Sequence, residues 1–363
     1  MALVRLTLLV CLFGLSACQP VKQTTPYQWD IPEQFPKPIV PADNPMTDAK
    51  VQLGRHLFYD VNLSANQSQS CASCHMQQFA FAEPRKTSVG SQGDVVRRNS
   101  LALVNVAYNG SLTWAHSGLT TLEQQILIPL FSEEPIELGV TGNEDIILSR
   151  FDTPQYKALF EAAFGNSEAN FDYIVKALSS FVRSLVSFNS AFDRYAYAGE
   201  DAAISESAVR GLNLFFSERL ECQHCHGGLN FTQSSKHDFQ QLDLRPFHNI
   251  GLFNTDGNGA YPKSDQGLIE VSKEARDMGH FRAPTLRNIA RTAPYFHNGS
   301  AKTLEEVIEH YARGGTGEGI ESPLKSPFLK GFALTEEEKQ DLVAFLHTLT
   351  DESFLTNPAF GAP

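Results

Sequence analysis

Two short motifs of identical form, Cys71-Ala-Ser-Cys74-His75 and Cys222-Gln-His-Cys225-His226, constrain this chain more than any other feature. Cysteines at this spacing lie about one helical turn apart, so two thioethers can reach one planar group. A histidine directly after the second cysteine can then bring its imidazole onto one face of that group. This is the attachment pattern of haem c, with the histidine as proximal iron ligand. A zinc knuckle, a thioredoxin-like redox pair or a disulfide would use the same cysteines differently. Zinc wants four clustered ligands, and a redox pair has no need of the following histidine twice. The motifs predict two covalently bound haem c groups, and the fold must wrap both.

Of the six cysteines, the remaining two, Cys11 and Cys18, fall near the N-terminus. Met1 to Arg5 carries one positive charge and Leu6 to Leu15 is a short apolar run, the composition of a secretory signal rather than of a membrane span. Leu15-Ser16-Ala17-Cys18 resembles a bacterial lipobox, which predicts removal of residues 1–17 and acylation of Cys18; ordinary signal cleavage is the alternative. Residues 18–45, rich in Pro and Gln, read as an extended leader. Haem c is attached outside the bacterial cytoplasm, so both features predict a periplasmic protein held to a membrane only by a lipid on Cys18. The formal charge, 29 − 41 = −12 with His neutral, argues against a nucleic-acid surface and favours a neutral or basic protein partner.

At 363 residues the chain exceeds one comfortable core. Val51-Gln-Leu-Gly-Arg-His-Leu-Phe58 and Val209-Arg-Gly-Leu-Asn-Leu-Phe-Phe216 each predict a short helix with an apolar face, and each precedes a CxxCH motif. His75 and His226 are 226 − 75 = 151 residues apart, one cytochrome-like unit plus an insertion. Thr303-Leu-Glu-Glu306 and Thr335-Glu-Glu-Glu338 are capping boxes, opening one helix that runs to Gly314-Gly315 and another through Leu342, Phe345, Leu346 and Leu349. Phe171 to Phe192 reads helical, and Phe247 to Gln266 reads as loop. The expected fold is mainly α, with two cytochrome c-like domains over residues 46–195 and 203–350, each with one covalently bound haem c.

What the haems can do depends on their sixth ligands. An electron carrier saturates both irons, whereas an enzyme leaves one position open. Met278, His280, His310 and Tyr311 are the candidates near the second haem, and spacing does not choose among them. His310 and Tyr311 are adjacent on a helix and face about 100° apart, so at most one points at the iron.

A further series of motifs runs in fixed order: Leu53-Gly-Arg-His-Leu-Phe-Tyr-Asp60, the first CxxCH, Arg98-Asn99-Ser100, Trp114, Leu122-Glu-Gln-Gln125, Pro135-Ile-Glu137, the second CxxCH, and Pro284-Thr-Leu-Arg-Asn288 leading to Ala293-Pro-Tyr-Phe-His-Asn-Gly299. The series resembles the bacterial di-haem cytochrome c peroxidases and their relative MauG across nearly the whole mature chain. The resemblance implies a haem at His75 that reacts with hydrogen peroxide, a haem at His226 that shares the oxidising equivalents, and Trp114 conducting between them. It makes Glu137 the carboxylate above the first haem, which moves the peroxide proton, with Gln125 positioning peroxide or water. Two residues are inserted between these motifs relative to the usual spacing, so Glu133 or Glu134 could substitute.

The same resemblance places Tyr311 where most of these peroxidases present a methionine, with His280 or Met278 as the other reading. A phenolate oxygen lowers the iron potential relative to a thioether. Those peroxidases also plug the first haem with a histidine from the loop after the first motif. Phe79 to Arg98 contains none, so an open peroxide site is expected. A calcium ion between the haems is implied, held by the Asn99 side chain and the carbonyls of Thr292 and Pro294. Asn254 to Asp265 superficially fits an EF-hand loop but lacks flanking helices and is expected to be a tight surface loop.

Gly251 to Pro262 and Asp277 to Pro284 look most like the MbnH-like subgroup, which implies a periplasmic partner protein whose tryptophan is oxidised. MauG passes oxidising equivalents through a surface tryptophan where Leu220 stands here, and Phe215 and Phe216 are hard to oxidise, so an exit route has to differ. Three classes follow: a peroxide-driven oxidase of a partner protein, a peroxidase drawing electrons from a small redox protein, and a plain di-haem electron carrier.

Overall fold

A computed structural model describes residues 25–238, 240 and 247–363. The expectations for signal cleavage and for acylation at Cys18 lie outside the described residues. The helices, in chain order, are α1 Asp48–Tyr59, α2 Cys71–Cys74, α3 Leu122–Phe131, α4 Glu144–Ser149, α5 Pro154–Phe164, α6 Phe171–Ser184, α7 Ala191–Ala198, α8 Glu206–Phe215, α9 Gln223–His226, α10 Ile269–Ser272, α11 Leu304–Ala312, α12 Glu336–Thr348 and α13 Glu352–Thr356. Among the described residues the only sheet is an antiparallel pair, β1 Phe247–His248 with β2 Phe281–Arg282. The fold is mostly helical, as the sequence pattern predicts.

The internal repeat extends from motif to packing. Thr47 caps α1 by accepting from Lys50 N, and Ser205 caps α8 by accepting from Ala208 N. Each of these helices carries a glycine at its crossing point. A methyl group on Gly54 would run into the carbonyl of Ala177 and meet Phe181 Cβ at 2.9 Å, both on α6. A methyl on Gly211 would run into the carbonyl of Asp341 and meet Phe345 Cβ at 2.9 Å, both on α12. Side-chain-free positions let the two backbones approach, so α1–α6 and α8–α12 are the same device used twice.

Each pair anchors its own core. One contains Leu53, Leu57, Phe58, Phe81, Phe160 and Phe181, and the other Phe215, Phe231, Leu342, Phe345 and Leu349. Phe354 and Leu355 of α13 return to the first core, past the point where the sequence pattern ends the second domain. Of the predicted capping boxes, Thr335 and Glu338 bond reciprocally. Thr303 accepts from Glu306 N, but the Glu306 carboxylate takes the N–H of Lys302 instead of that of Thr303.

The single helix expected over Phe171 to Phe192 is interrupted. α6 ends at Ser184, and a new helix starts at Ser190, whose hydroxyl forms a capping box with Asp193. The reason lies elsewhere in the chain. Asn105 donates to Ser187 O and accepts from Ser187 N, at 3.0 and 2.7 Å, so a distant amide takes the bonds a helix would have used. Ser187 Oγ also donates to Asp351 and accepts from Asn288, and Asn288 accepts in turn from Asp351 N. This network satisfies a buried crossing segment and joins the two halves of the molecule.

Candidate active site

The two CxxCH motifs sit in matching local structures. α2 is capped by Ser70, and the chain after it folds back so that His75 Nδ1 lies 2.7 Å from the carbonyl of Phe81. After α9, His226 Nδ1 lies 3.1 Å from the carbonyl of Phe231. Phe81 and Phe231 both have left-handed backbones, with φ of 60° and 49°, which turn these carbonyls inward. A carbonyl can only accept, so each Nδ1 carries the proton and each Nε2 keeps its lone pair for a metal. Burial, the main cause, pushes both imidazoles below their ordinary range and keeps them neutral.

The thiols are not those of a reactive pair. Burial drives Cys71 and Cys222 up to about 12, and Cys74 and Cys225 up to about 11, opposite to the lowered value of a nucleophilic thiolate. Among the described residues, the one cluster of His, Cys, Asp or Glu able to hold an ion is Glu218, Glu221 and His224, and it includes no cysteine. Two thiols and one tautomer-fixed imidazole bordering an apolar cavity fit haem c and do not fit structural zinc.

The second motif opens into the larger cavity, about 1800 Å³ with its mouth included, lined by Cys222, Cys225, His226, Trp114 and Tyr311. Tyr311 faces the cysteines: burial first, then the charges of Cys225 and Cys222, raises its hydroxyl far above the ordinary value. Its neighbour His310 is committed elsewhere, Nδ1 to Thr316 Oγ1 at 2.7 Å and Nε2 to Ile250 O at 2.8 Å. Met278 packs beside the Trp114 cluster, and His280 turns its Nδ1 to the Met278 carbonyl at 3.2 Å; neither lines the cavity.

The first motif borders a smaller cavity, about 430 Å³, lined by Cys71, Cys74, His75, Ser88, Pro129 and Glu137 among others. Glu137 is fixed by its backbone. Ser91 N donates to its carbonyl at 2.7 Å, and Gly90 packs so closely on Ile136 that a Cβ has no room. Burial pushes its carboxyl up to about 7. Glu133 and Glu134 are exposed and do not line this cavity, which separates them from Glu137. Gln125 lies one turn before the lining residue Pro129 on α3, with its amide oxygen buried and unpartnered, although it is not itself in the lining.

Trp114 stands between the motifs. Its indole Nε1 donates to Asn99 O at 2.7 Å, and the next residue, Ser100, donates from its hydroxyl to Cys74 O at 3.1 Å. Two hydrogen bonds and one peptide unit therefore separate the first haem motif from an indole in the second cavity. Asn99, Thr292 and Pro294 all line that cavity. Asn99 Nδ2 donates to the carbonyls of Arg85 and Lys86, which turns Oδ1 the other way. The EF-hand-like stretch is spent on itself: Asp256 accepts from Asn258 N and Ala260 N, Asn254 from Gly259 N, and Asp265 pairs with Arg98. Leu220 and Phe215 line the second cavity as buried apolar residues, and Phe216 is exposed.

The residues matched by the family model described as di-haem cytochrome c peroxidase are 48–202. Cytochrome-c peroxidase IdrP1 of Denitromonas iodatirespirans is 36% identical over 338 residues, covering 87% of this chain and 85% of its own. The chain belongs to the di-haem cytochrome c peroxidase family. The methylamine utilization protein MauG of Methylophilus methylotrophus is 32% identical over 346 residues, covering 94% of this chain and 92% of its own. A crystal structure of a MauG-like protein associated with microbial copper homeostasis superposes with a TM-score of 0.89 at 44% identity, covering 93% of this chain and 99% of that one.

Family membership makes the enzyme a di-haem oxidoreductase with two haem c groups. Three further residues line the second cavity, and the sequence motifs assign none of them a role. His248 Nε2 meets Gln233 Oε1 at 2.9 Å, and burial, then His226 and His280, pushes its imidazole down to about 4. His297 stacks on Phe281 at 3.6 Å, and burial pushes it down to about 4. Arg282 is the third. His297 lies within the Ala293–Gly299 motif and Arg282 two residues before Pro284, but only the folded chain, with Phe247–His248 paired to Phe281–Arg282, brings His248, Arg282 and His297 to one cavity.

Proposed function

We propose that the chain is a di-haem peroxidase that takes hydrogen peroxide at the His75 haem and uses both oxidising equivalents on a tryptophan of a partner protein. One observation carries this reading. Tyr311, a phenol rather than a thioether, shares the second cavity with His226, while the lining of the first cavity holds Glu137 and, among the described residues, no imidazole or thioether besides His75.

When bound, the haems supply the iron chemistry that breaks the O–O bond and stores oxidising power. Two electrons leave the partner, and two protons complete two waters. Glu137, near 7, can take the proton from one peroxide oxygen and return it to the departing one at neutral pH. Trp114 relays charge between the haems. The Tyr311 oxygen would hold the second iron and lower its potential. Asn99 Oδ1 and the carbonyls of Thr292 and Pro294 would hold a calcium ion, as oxygen donors suited to that hard cation. The protein works in the bacterial periplasm, lipid-anchored at Cys18, in two cytochrome c-like domains, 46–195 and 203–350. The association of the MauG-like protein of that crystal structure with microbial copper homeostasis supports the MbnH-like subgroup and a copper-associated partner.

The second reading, a peroxidase fed by a small redox protein, is favoured by the name of the IdrP1 relative. Tyr311 opposes it, since a low-potential haem accepts such electrons poorly. Visible and EPR spectra of the ferric protein, before and after one equivalent of peroxide, separate them. A mixed high-spin and low-spin state giving a long-lived near-infrared band, lost in Tyr311→Phe, supports partner oxidation. Turnover only after half-reduction supports the second reading, and two low-spin haems indifferent to peroxide mean an electron carrier.

A further inference from the structure

Three arginines are buried among the described residues, Arg183, Arg282 and Arg287. Arg183 pairs with Glu123 at 2.8 Å, and Arg287 with Asp193 at 2.8 Å. Among the described residues no carboxylate pairs with Arg282. Its backbone N–H donates to Trp114 O at 2.7 Å, and its Nε to Thr113 O at 2.9 Å. Nη1 is buried with no hydrogen-bond partner among the described residues, and the residue, 3% exposed, lines the second cavity beside Trp114. A guanidinium stays charged in a protein, and a buried unpaired charge is strongly destabilising unless an anion meets it.

The cavity is bordered by Cys222, Cys225 and His226, and haem carries its two carboxylates on the edge away from its thioether bonds. The planar fork of an arginine is matched to a carboxylate. We propose that Arg282 binds a propionate carboxylate of the haem attached at Cys222 and Cys225, and through the carbonyls of Thr113 and Trp114 ties that haem to the conducting indole. Burial lowers Arg282 to about 10. Arg282 is thus a positioning residue: it sets where Trp114 stands relative to the haem, and its charge favours the reduced iron.

The proposal rests on haem attachment at the second motif, tested separately by a pyridine haemochrome count of two haems per purified chain. A lower count overturns that reading and the proposal with it. Arg282→Gln is expected to lower the reduction equilibrium of the second haem about tenfold, about 59 mV for one electron, with the first haem unmoved. The propionate bending band in resonance Raman spectra shifts in the same variant. Arg282→Lys, which keeps the charge, is expected to retain most of the wild-type potential. An Arg282→Gln protein with unchanged second-haem potential and unchanged band overturns the assignment. Should Arg282→Gln fail to take up the second haem, Arg282→Lys decides: uptake near the wild-type potential supports the carboxylate contact, and failure in both variants assigns Arg282 to packing alone.

Discussion

Glu137 offers the sharpest test of the peroxide chemistry, because its environment sets both the size and the sign of the effect. Burial without a nearby cation pushes its carboxyl up to about 7. In the proposed chemistry the anion accepts the proton, so about one tenth of the protein is competent at pH 6, half near pH 7 and about nine tenths at pH 8. The rate of reaction with peroxide is therefore expected to fall about tenfold per unit below pH 7 and to level off above pH 8. Stability runs the other way. A carboxyl whose folded pKa is raised contributes fully below its ordinary range and loses that contribution as pH climbs through 7, so Glu137→Gln is expected to gain on wild type in alkaline buffer.

The assay is stopped-flow absorbance in the Soret band at low peroxide across pH 5.5 to 8.5. Glu137→Gln is expected to slow the reaction about 10²- to 10⁴-fold and to flatten the profile. Glu133→Gln, on an exposed side chain outside the cavity, is expected to leave both untouched. A flat wild-type profile, or an equal loss in Glu133→Gln, would refute the reasoning.

The remaining predictions concern the frame and the relay. Gly54→Ala and Gly211→Ala each force a helix crossing apart and are expected to cost about 1–3 kcal/mol, partly offset by about 1 kcal/mol of helix propensity; urea titration measures each, and the double variant should be additive because the cores are separate. A neutral Gly211→Ala would mean that the α8–α12 crossing tolerates a methyl. Trp114→Phe, which removes the bond to Asn99 O and a readily oxidised ring, is expected to slow charge equilibration between the haems by at least tenfold in rapid-mixing absorbance; an unchanged rate removes Trp114 from the path. Tyr311→Met should raise the potential of the second haem by spectroelectrochemistry, and an unmoved potential would mean that position 311 does not ligate iron. Chelation followed by elemental analysis should remove one calcium per chain and slow equilibration, both reversed by added calcium; a chain with no calcium refutes the Asn99, Thr292 and Pro294 site.

Much of the chemistry was legible before any coordinates. A CxxCH motif is complete within one turn of chain, so spacing alone announces haem attachment at Cys71, Cys74, His75, Cys222, Cys225 and His226. The caps at Thr303 and Thr335 and the apolar faces of α1 and α8 are equally local, since capping and 3.6-residue periodicity act within a few residues. The pairing of the two glycine-marked helices with α6 and α12 was not legible, because a close helix crossing is a relation between distant segments.

The same division runs through the site. Sequence by itself determined two haem-binding units, a mainly helical frame and a short menu for the second distal position. Tertiary structure separates the candidates: it spends both nitrogens of His310 on Thr316 and Ile250, leaves Met278 and His280 outside the lining, and turns Tyr311 toward the cysteines. It also places Glu137 at the first cavity and leaves Glu133 and Glu134 exposed, breaks a helix at Ser187 with an amide from Asn105, and leaves Arg282 Nη1 in an apolar wall with no hydrogen-bond partner among the described residues. The physical reason is range. Covalent spacing and backbone caps are settled within a turn, whereas burial, charge pairing and the aim of a side chain depend on segments that only the folded core brings together.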